Sequence, residues 1–287
     1  MAARDAVTRT TLADLQDLKP ELTALRRALH QRPELAFQEH ATSARVGWAA
    51  GAMGLRGHHG TGGHGASGHA ACWRSGPFMA AGDRVFVKVI GNGGHAARPH
   101  LATDPVVAAA AIVMALQTVV SRNIDRSQAA VVSVGRLRAG DALNVISGEA
   151  EIGISVRSFS PQVRARLRER IVQVCESTAE SHEASVKIVY VEGYPVVDNA
   201  DAPTALALAV ARELVGEDRV TGDMPPLMGS EDFAYMQQAV PGALVRLGNG
   251  PASGGRALHN ANYDFNDDNL CVGAAFWSRL AETYLVA

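Results

Sequence analysis

Cysteine is scarce in this chain. Its 287 residues hold three, Cys72, Cys175 and Cys271, far apart and odd in number. They do not read as a disulfide framework, and a reducing cytoplasm is the expected compartment. An excess of one charge is also lacking: the formal net charge is -2. No general attraction to nucleic acid or to an anionic membrane follows from it. No apolar run reaches the length of a membrane span; the longest candidate, Val106 to Val120, is too short and contains Gln117. The opening Met-Ala-Ala-Arg-Asp carries no apolar signal core. The expectation is a soluble, cytoplasmic protein with neither nucleic acid nor membrane as partner.

What is present is the balance of an ordinary globular protein, 47% hydrophobic and 20% charged. The length favours two domains. Leu22, Leu25, Arg26 and Leu29 recur at helical spacing, with Pro33 as a stop after His30. A second helix is expected from about Gln38 to Ala52. Residues 57 to 70 then read Gly-His-His-Gly-Thr-Gly-Gly-His-Gly-Ala-Ser-Gly-His-Ala, and no helix or strand period fits them.

From Asp83 to about Glu192 the pattern is orderly. Val85, Val87 and Val89 alternate with Arg84, Phe86 and Lys88, which predicts a strand. Thr103-Asp104 before Pro105 predicts a helix start, with the helix running to about Ser121. Val131 to Leu137 reads as a second strand, and Ile152, Ile154 and Val156 mark a third. Ser160-Pro161 opens a helix with the apolar stripe Val163, Leu167, Ile171 and Val174. Val186, Ile188 and Tyr190 mark a fourth strand. The order β-α-β-β-α-β is the ferredoxin-like split βαβ arrangement. Beyond it, helices are expected over Ala202 to Val215, Phe233 to Ala239 and Asn269 to Val286, with a short β candidate at Val220 and a buried strand at Ala243 to Leu247. These C-terminal elements are expected to pack with the N-terminal helices. Residues 1–82 and 193–287 then form one discontinuous domain, with 83–192 inserted in it.

Five stretches carry a resemblance. Leu25-Arg26-Arg27-Ala28-Leu29-His30-Gln31-Arg32-Pro33-Glu34-Leu35-Ala36-Phe37-Gln38-Glu39 opens the series. Gly91-Asn92-Gly93-Gly94-His95-Ala96-Ala97-Arg98-Pro99-His100 and Ala139-Gly140-Asp141-Ala142-Leu143-Asn144-Val145-Ile146 follow. Met228-Gly229-Ser230-Glu231-Asp232-Phe233-Ala234-Tyr235 and Leu258-His259-Asn260-Ala261-Asn262-Tyr263-Asp264-Phe265-Asn266-Asp267 complete it. In this order they resemble the hippurate hydrolase and indoleacetyl-amino-acid hydrolase group of metal-dependent amidohydrolases, over residues 20–54 and 75–285.

The resemblance implies a fold of class α/β. A zinc-peptidase-like catalytic domain carries the ferredoxin-like unit as a lid through which subunits form a homodimer. It also implies hydrolysis of the amide bond of N-acyl amino acids, hippurate-like substrates among them. In that chemistry divalent metals, zinc, manganese or similar, lower the pKa of a bound water and polarise the carbonyl.

Between about Leu55 and Arg74 the resemblance stops. The group's Asp-rich strand end, Cys-Gly-His-Asp motif, Glu-Glu pair and Leu-His-Asn segment belong there. This chain contains no Cys-Gly-His-Asp and no adjacent Glu-Glu. The catalytic domain therefore reads as partly deleted, and most metal ligands are absent. His259 alone matches a ligand, the final one, and three protein ligands are the usual minimum for zinc. His58, His59, His64, His69 and Cys72 are ligand types, but in a Gly-rich loop they carry a large ordering cost. Beside an active hydrolase, two readings stay open: a non-catalytic dimerising homologue and a truncated gene product.

By resemblance His95 stabilises the oxyanion formed at the scissile carbonyl, in the partner subunit's site. Asn144 and Arg157 are candidates for the substrate carboxylate, Arg157 through its planar fork, with a structural ion pair as its other reading. Arg98 is a candidate to fix the His95 loop. Glu231 and Asp232 are expected to cap the following helix. His30 is expected to pack or hydrogen-bond, and Cys175 and Cys271 to be buried as small apolar residues.

Overall fold

The computed structural model describes residues 10–34, 38–45, 71–250 and 260–286. The His-rich stretch 57–70, His259 and residues 46–52 of the helix expected to run to Ala52 lie outside them. The chain divides into two compact units, one of Arg74–Asp201 with Pro225–Leu244, the other of Met1–Trp73, Ala202–Met224 and Val245–Ala287.

The first unit is built on a four-stranded antiparallel sheet. Its strands are β3 (Ala81–Ile90), β5 (Ala130–Ala139), β7 (Glu149–Ser158) and β8 (Ser185–Val191), in the order β5-β7-β3-β8. Helix α3 (Pro105–Asn123) joins β3 to β5, and α4 (Pro161–Glu180) joins β7 to β8. The chain order is β-α-β-β-α-β.

Two-residue alternation makes the sheet one-sided. Val85, Val87 and Val89 of β3 and Ala150, Ile152, Ile154 and Val156 of β7 are buried. They meet Ala108, Ala109, Ile112, Leu116 and Val119 of α3 and Val163, Leu167, Ile171, Cys175 and Ala179 of α4. Each large aliphatic side chain taken from water there contributes about 1.5–3 kcal/mol. On α4 the fully buried fourth position is Cys175; Val174 packs at its margin. By length and composition alone α3 could cross a membrane, and its inward face lies in this core.

Both helices start where their caps dictate. Asp104 accepts from the backbone amides of Val106 and Val107 with Pro105 in the first turn, and Ser160 accepts from Val163 with Pro161 following.

A shorter layer completes this unit. β2 (Gly76–Met79) pairs antiparallel with β9 (Val197–Asn199). The Pro225–Leu244 segment joins it through Ala80 N–H to Leu227 O, 3.0 Å, and Leu227 N–H to Phe78 O, 2.8 Å. Buried Asn199 ties in the end of that segment. Its Nδ2 donates to the carbonyls of Arg74 and Leu244, and its Oδ1 accepts from Leu244 N and Gln237 Nε2 of helix α6 (Phe233–Ala239). Both backbone groups of Leu244 are thus taken by one side chain. The strand expected over Ala243 to Leu247 is accordingly only Arg246–Leu247, here β11.

In the second unit, β1 (Ala71–Cys72) lies between β10 (Val220–Thr221), parallel, and β11, antiparallel. The same unit holds α1 (Lys19–His30), helical residues 40–45 (α2), most of α5 (Asp201–Val215) and α7 (Asn269–Val286). Gly216, φ +90°, follows the last residue of α5, a backbone state that glycine adopts freely. Trp73 packs edge-on against Phe276 of α7, and both are buried. Arg26 of α1 holds Asp264 and Asp267 ahead of α7. His30 lies 3.0 Å from Arg26 Nη1 and 3.8 Å from Asp264, the hydrogen-bonding place expected of it.

Candidate substrate site

Two of the expected site residues come together on one small element. β4 (Gly94–His95) pairs antiparallel with β6 (Val145–Ile146), and His95 lies opposite Val145. The Ala96 amide donates to the Asn144 carbonyl at 3.1 Å. The loop before β4 needs its glycine: Gly93 has φ +62°, and a Cβ built there would sit 2.7 Å from the Ile146 carbonyl oxygen. Asn92 steadies the same loop, its Oδ1 accepting from Thr103 N. His95 and Asn144 are both exposed, and Leu143 beside Asn144 is wholly so. The Arg98 amide closes the turn onto the His95 carbonyl at 2.8 Å, so the main chain of Arg98 steadies the loop.

Arg157 lies elsewhere. It is near the end of β7, opposite Gly82, whereas the β4–β6 element adjoins the beginning of β7, where Gly91 N–H bonds to Gly148 O. The eight residue steps from Glu149 to Arg157 span roughly 25 Å. One copy of the chain therefore does not bring His95 and Asn144 together with Arg157. The Arg157 guanidinium lies close to Gly82, and Ser230 of the Met228-to-Phe233 stretch approaches the same glycine. A Cβ built on Gly82 would lie 2.6 Å from Ser230 Oγ and 3.0 Å from Arg157 Nη1, so the hydroxyl and the guanidinium crowd onto one glycine. Arg157 Nη1 donates to the Val156 carbonyl at 3.0 Å, and among the described residues Arg157 has no ion pair.

The closeness of Gly82 and Ser230 to Arg157 was not legible in the sequence. Only the motif around Ser230 could have drawn attention to it. Asp232 occupies the N-cap of α6 but makes no side-chain cap bond.

On the other face of the sheet from Arg157, a buried network ties the start of β3 to α4, to β8 and to Gly193 beyond it. Asp83 accepts from Arg164 Nε at 2.9 Å, Arg164 Nη2, the Gly193 amide at 3.0 Å and the Tyr190 hydroxyl at 3.0 Å. Burial alone would push the Asp83 carboxyl up. The Arg164 guanidinium and the other donors outweigh that, and the carboxyl is held below its usual range. Burial beside Asp83 pushes the Tyr190 phenol up, so it stays a donor.

Among the described residues no group of three or more His, Cys, Asp or Glu side chains could hold a metal ion. His259 lies outside those residues, so the donor set the structure describes does not fit a metal centre.

The sequence profile of Peptidase family M20/M25/M40 matches residues 60–283. The chain belongs to this family. Among its relatives, the hippurate hydrolase of Campylobacter jejuni is 38% identical over 212 residues, 74% of this chain and 55% of the relative. The IAA-amino acid hydrolase ILR1-like 4 of Arabidopsis thaliana is 33% identical over 219 residues, 74% of this chain and 50% of the relative. A dinuclear metal binding peptidase of the M20 family, the YXEP protein of Bacillus subtilis, superposes with a TM-score of 0.59 at 27% identity, over 85% of this chain and 61% of the other. A putative aminohydrolase from methicillin-resistant Staphylococcus aureus gives a TM-score of 0.67 at 26% identity, over 77% and 57%. The M20 α/β fold and the hippurate hydrolase group are thereby shared. The chain spans about half the length of the curated relatives it matches.

Proposed function

We propose that this M20 chain is an amidohydrolase acting on small N-acyl amino acids, with a site assembled from two copies of the chain. The observation that carries the proposal is the division of the expected substrate contacts between the two ends of β7. In this reading, Arg157 and Ser230 of one copy take the substrate carboxylate, Arg157 through its fork and Ser230 through its hydroxyl. His95 and Asn144 come from the partner, His95 meeting the amide and Asn144 joining Arg157 at the carboxylate. The ferredoxin-like unit serves as lid and dimer contact. In support, α3 turns Val107 and Met114 outward, and among the described residues β5 is an edge strand ten residues long.

Family membership suggests a divalent cation, zinc, manganese or similar, with His259 as the retained ligand position. Because the described donor set does not fit such a centre, no catalytic step is assigned to the metal. The shortened stretch before Trp73 is, in this reading, an internal deletion of the catalytic domain. Cys175 and Cys271 are free and buried, which suits a reducing cytoplasm.

The test is release of glycine from hippurate by the full chain, with metal content measured before and after chelation. Turnover that falls with the metal supports the proposal. Hippurate binding by calorimetry without metal or turnover identifies a non-catalytic homologue, and absence of both binding and turnover overturns the substrate assignment. Arg157→Lys loses the bidentate fork and is expected to raise KM on the order of tenfold with little change in kcat.

A further inference from the structure

We infer that the backbone amide of Ala97 fixes the tautomer of His95, so that the imidazole offers a preset Nε2–H donor. Ala97 N lies 3.1 Å from His95 Nδ1. A peptide N–H can only donate, so Nδ1 faces it with its lone pair. In a neutral imidazole the single ring proton then resides on Nε2. The surrounding main chain keeps this arrangement in place. Ala96 N–H is engaged by Asn144 O, Arg98 N–H by His95 O, and His95 itself is held in the β4–β6 ladder. With the Ala97 amide on Nδ1, three consecutive amides are directed at fixed acceptors, and the ring is held at one edge.

The consequence is chemical. A ring showing Nε2–H outward gives a hydrogen bond. To take a proton or bind a cation through that nitrogen it would first have to surrender the Ala97 bond. His95 is thus a donor by construction, suited to an oxygen that gains negative charge during reaction. Ala97 is its positioning residue, acting through a main-chain group that the sequence does not reveal. What the donor meets rests on the amidohydrolase reading above; the tautomer does not.

The experiment is a long-range proton–nitrogen correlation spectrum of the full chain labelled with 15N-histidine. It is recorded at about pH 8, above the ordinary imidazole value. His95 is assigned by the signals that vanish in His95→Gln. A pyridine-like Nδ1 and a pyrrole-like Nε2 are expected. The reverse pattern, or the intermediate shifts of two exchanging tautomers, overturns the inference. Ala97→Pro removes the amide hydrogen and should move His95 to intermediate shifts; an unchanged spectrum in a variant with native circular dichroism overturns the role of Ala97. Should that variant not fold, the parent spectrum still decides.

Kinetics then separate the two readings. His95→Asn keeps an acceptor for Ala97 but loses the reach of Nε2, and kcat should fall on the order of 100-fold or more with KM nearly unchanged. His95→Gln, which keeps a donor near Nε2, should lose less. The expected spectrum from a chain that hydrolyses no N-acyl amino acid would sink the amidohydrolase reading and leave the tautomer standing.

Discussion

Gly193 and Asp83 show how single residues hold the start of β3 to the segment that follows β8. A Cβ on Gly193 would overlap the Gly82 carbonyl oxygen, a backbone atom with no rotamer to escape into. Gly193→Ala is therefore expected to cost about 1–3 kcal/mol, the range of an overpacked core, read as a lower urea midpoint at unchanged slope. Asp83 is nearly inaccessible and paired, and its removal strands Arg164 and the Tyr190 hydroxyl. Asp83→Asn should cost about 3 kcal/mol at pH 7. The pH dependence follows from the direction of its pKa. A folded-state value held below the unfolded one contributes stability that is complete above about pH 5 and fades as pH falls through the folded value. The gap between parent and variant should thus narrow below about pH 4, measured by urea unfolding at pH 7 and pH 3. A gap equal at both would show that Asp83 is not ionised in the fold.

The elements that could be read from the sequence are those whose signals are local. Val85, Val87 and Val89 alternate, and β3 forms; Asp104-Pro105 and Ser160-Pro161 announce α3 and α4; the pattern over Asn269 to Val286 matches α7 residue for residue. Asp104→Ala tests the first cap: it should lower stability by about 1 kcal/mol without altering the oligomeric state. Burial pushes the Cys175 thiol up to about 12, so it should resist alkylation at neutral pH until the chain is unfolded by urea. The short pieces β2, β4, β6 and β9 could not be read, because two to four residues carry no period. Their pairing depends on partners distant in the chain, such as Gly94 with Ile146 and Pro77 with Asp198. The strand expected from Ala243 was shortened for a similar reason, since Asn199, 45 residues away from Leu244, took its backbone.

At the scale of the molecule the proposed site asks for a second copy. Met114 is 70% exposed on α3, and Met114→Glu would put a charge into the proposed lid contact. It should convert a dimer to a monomer by light scattering and lower turnover with it; a parent chain already monomeric at micromolar concentration would remove the two-copy site. The amino-acid sequence by itself determined the family, the split βαβ order, both helix caps and the identity of His95, Asn144 and Arg157 as candidates, because motif and periodicity are properties of neighbouring residues. Only the tertiary structure decided that Asn144 adjoins the ladder that holds His95, while Arg157 sits at the far end of β7, near the same glycine as Ser230. Only it seated the Ala97 amide on His95 Nδ1 and gathered Pro225–Leu244 into the same unit as the sheet. Those facts arise where strands from remote parts of the chain fall into register, and register is settled by the packing of a whole core rather than by any short run of residues.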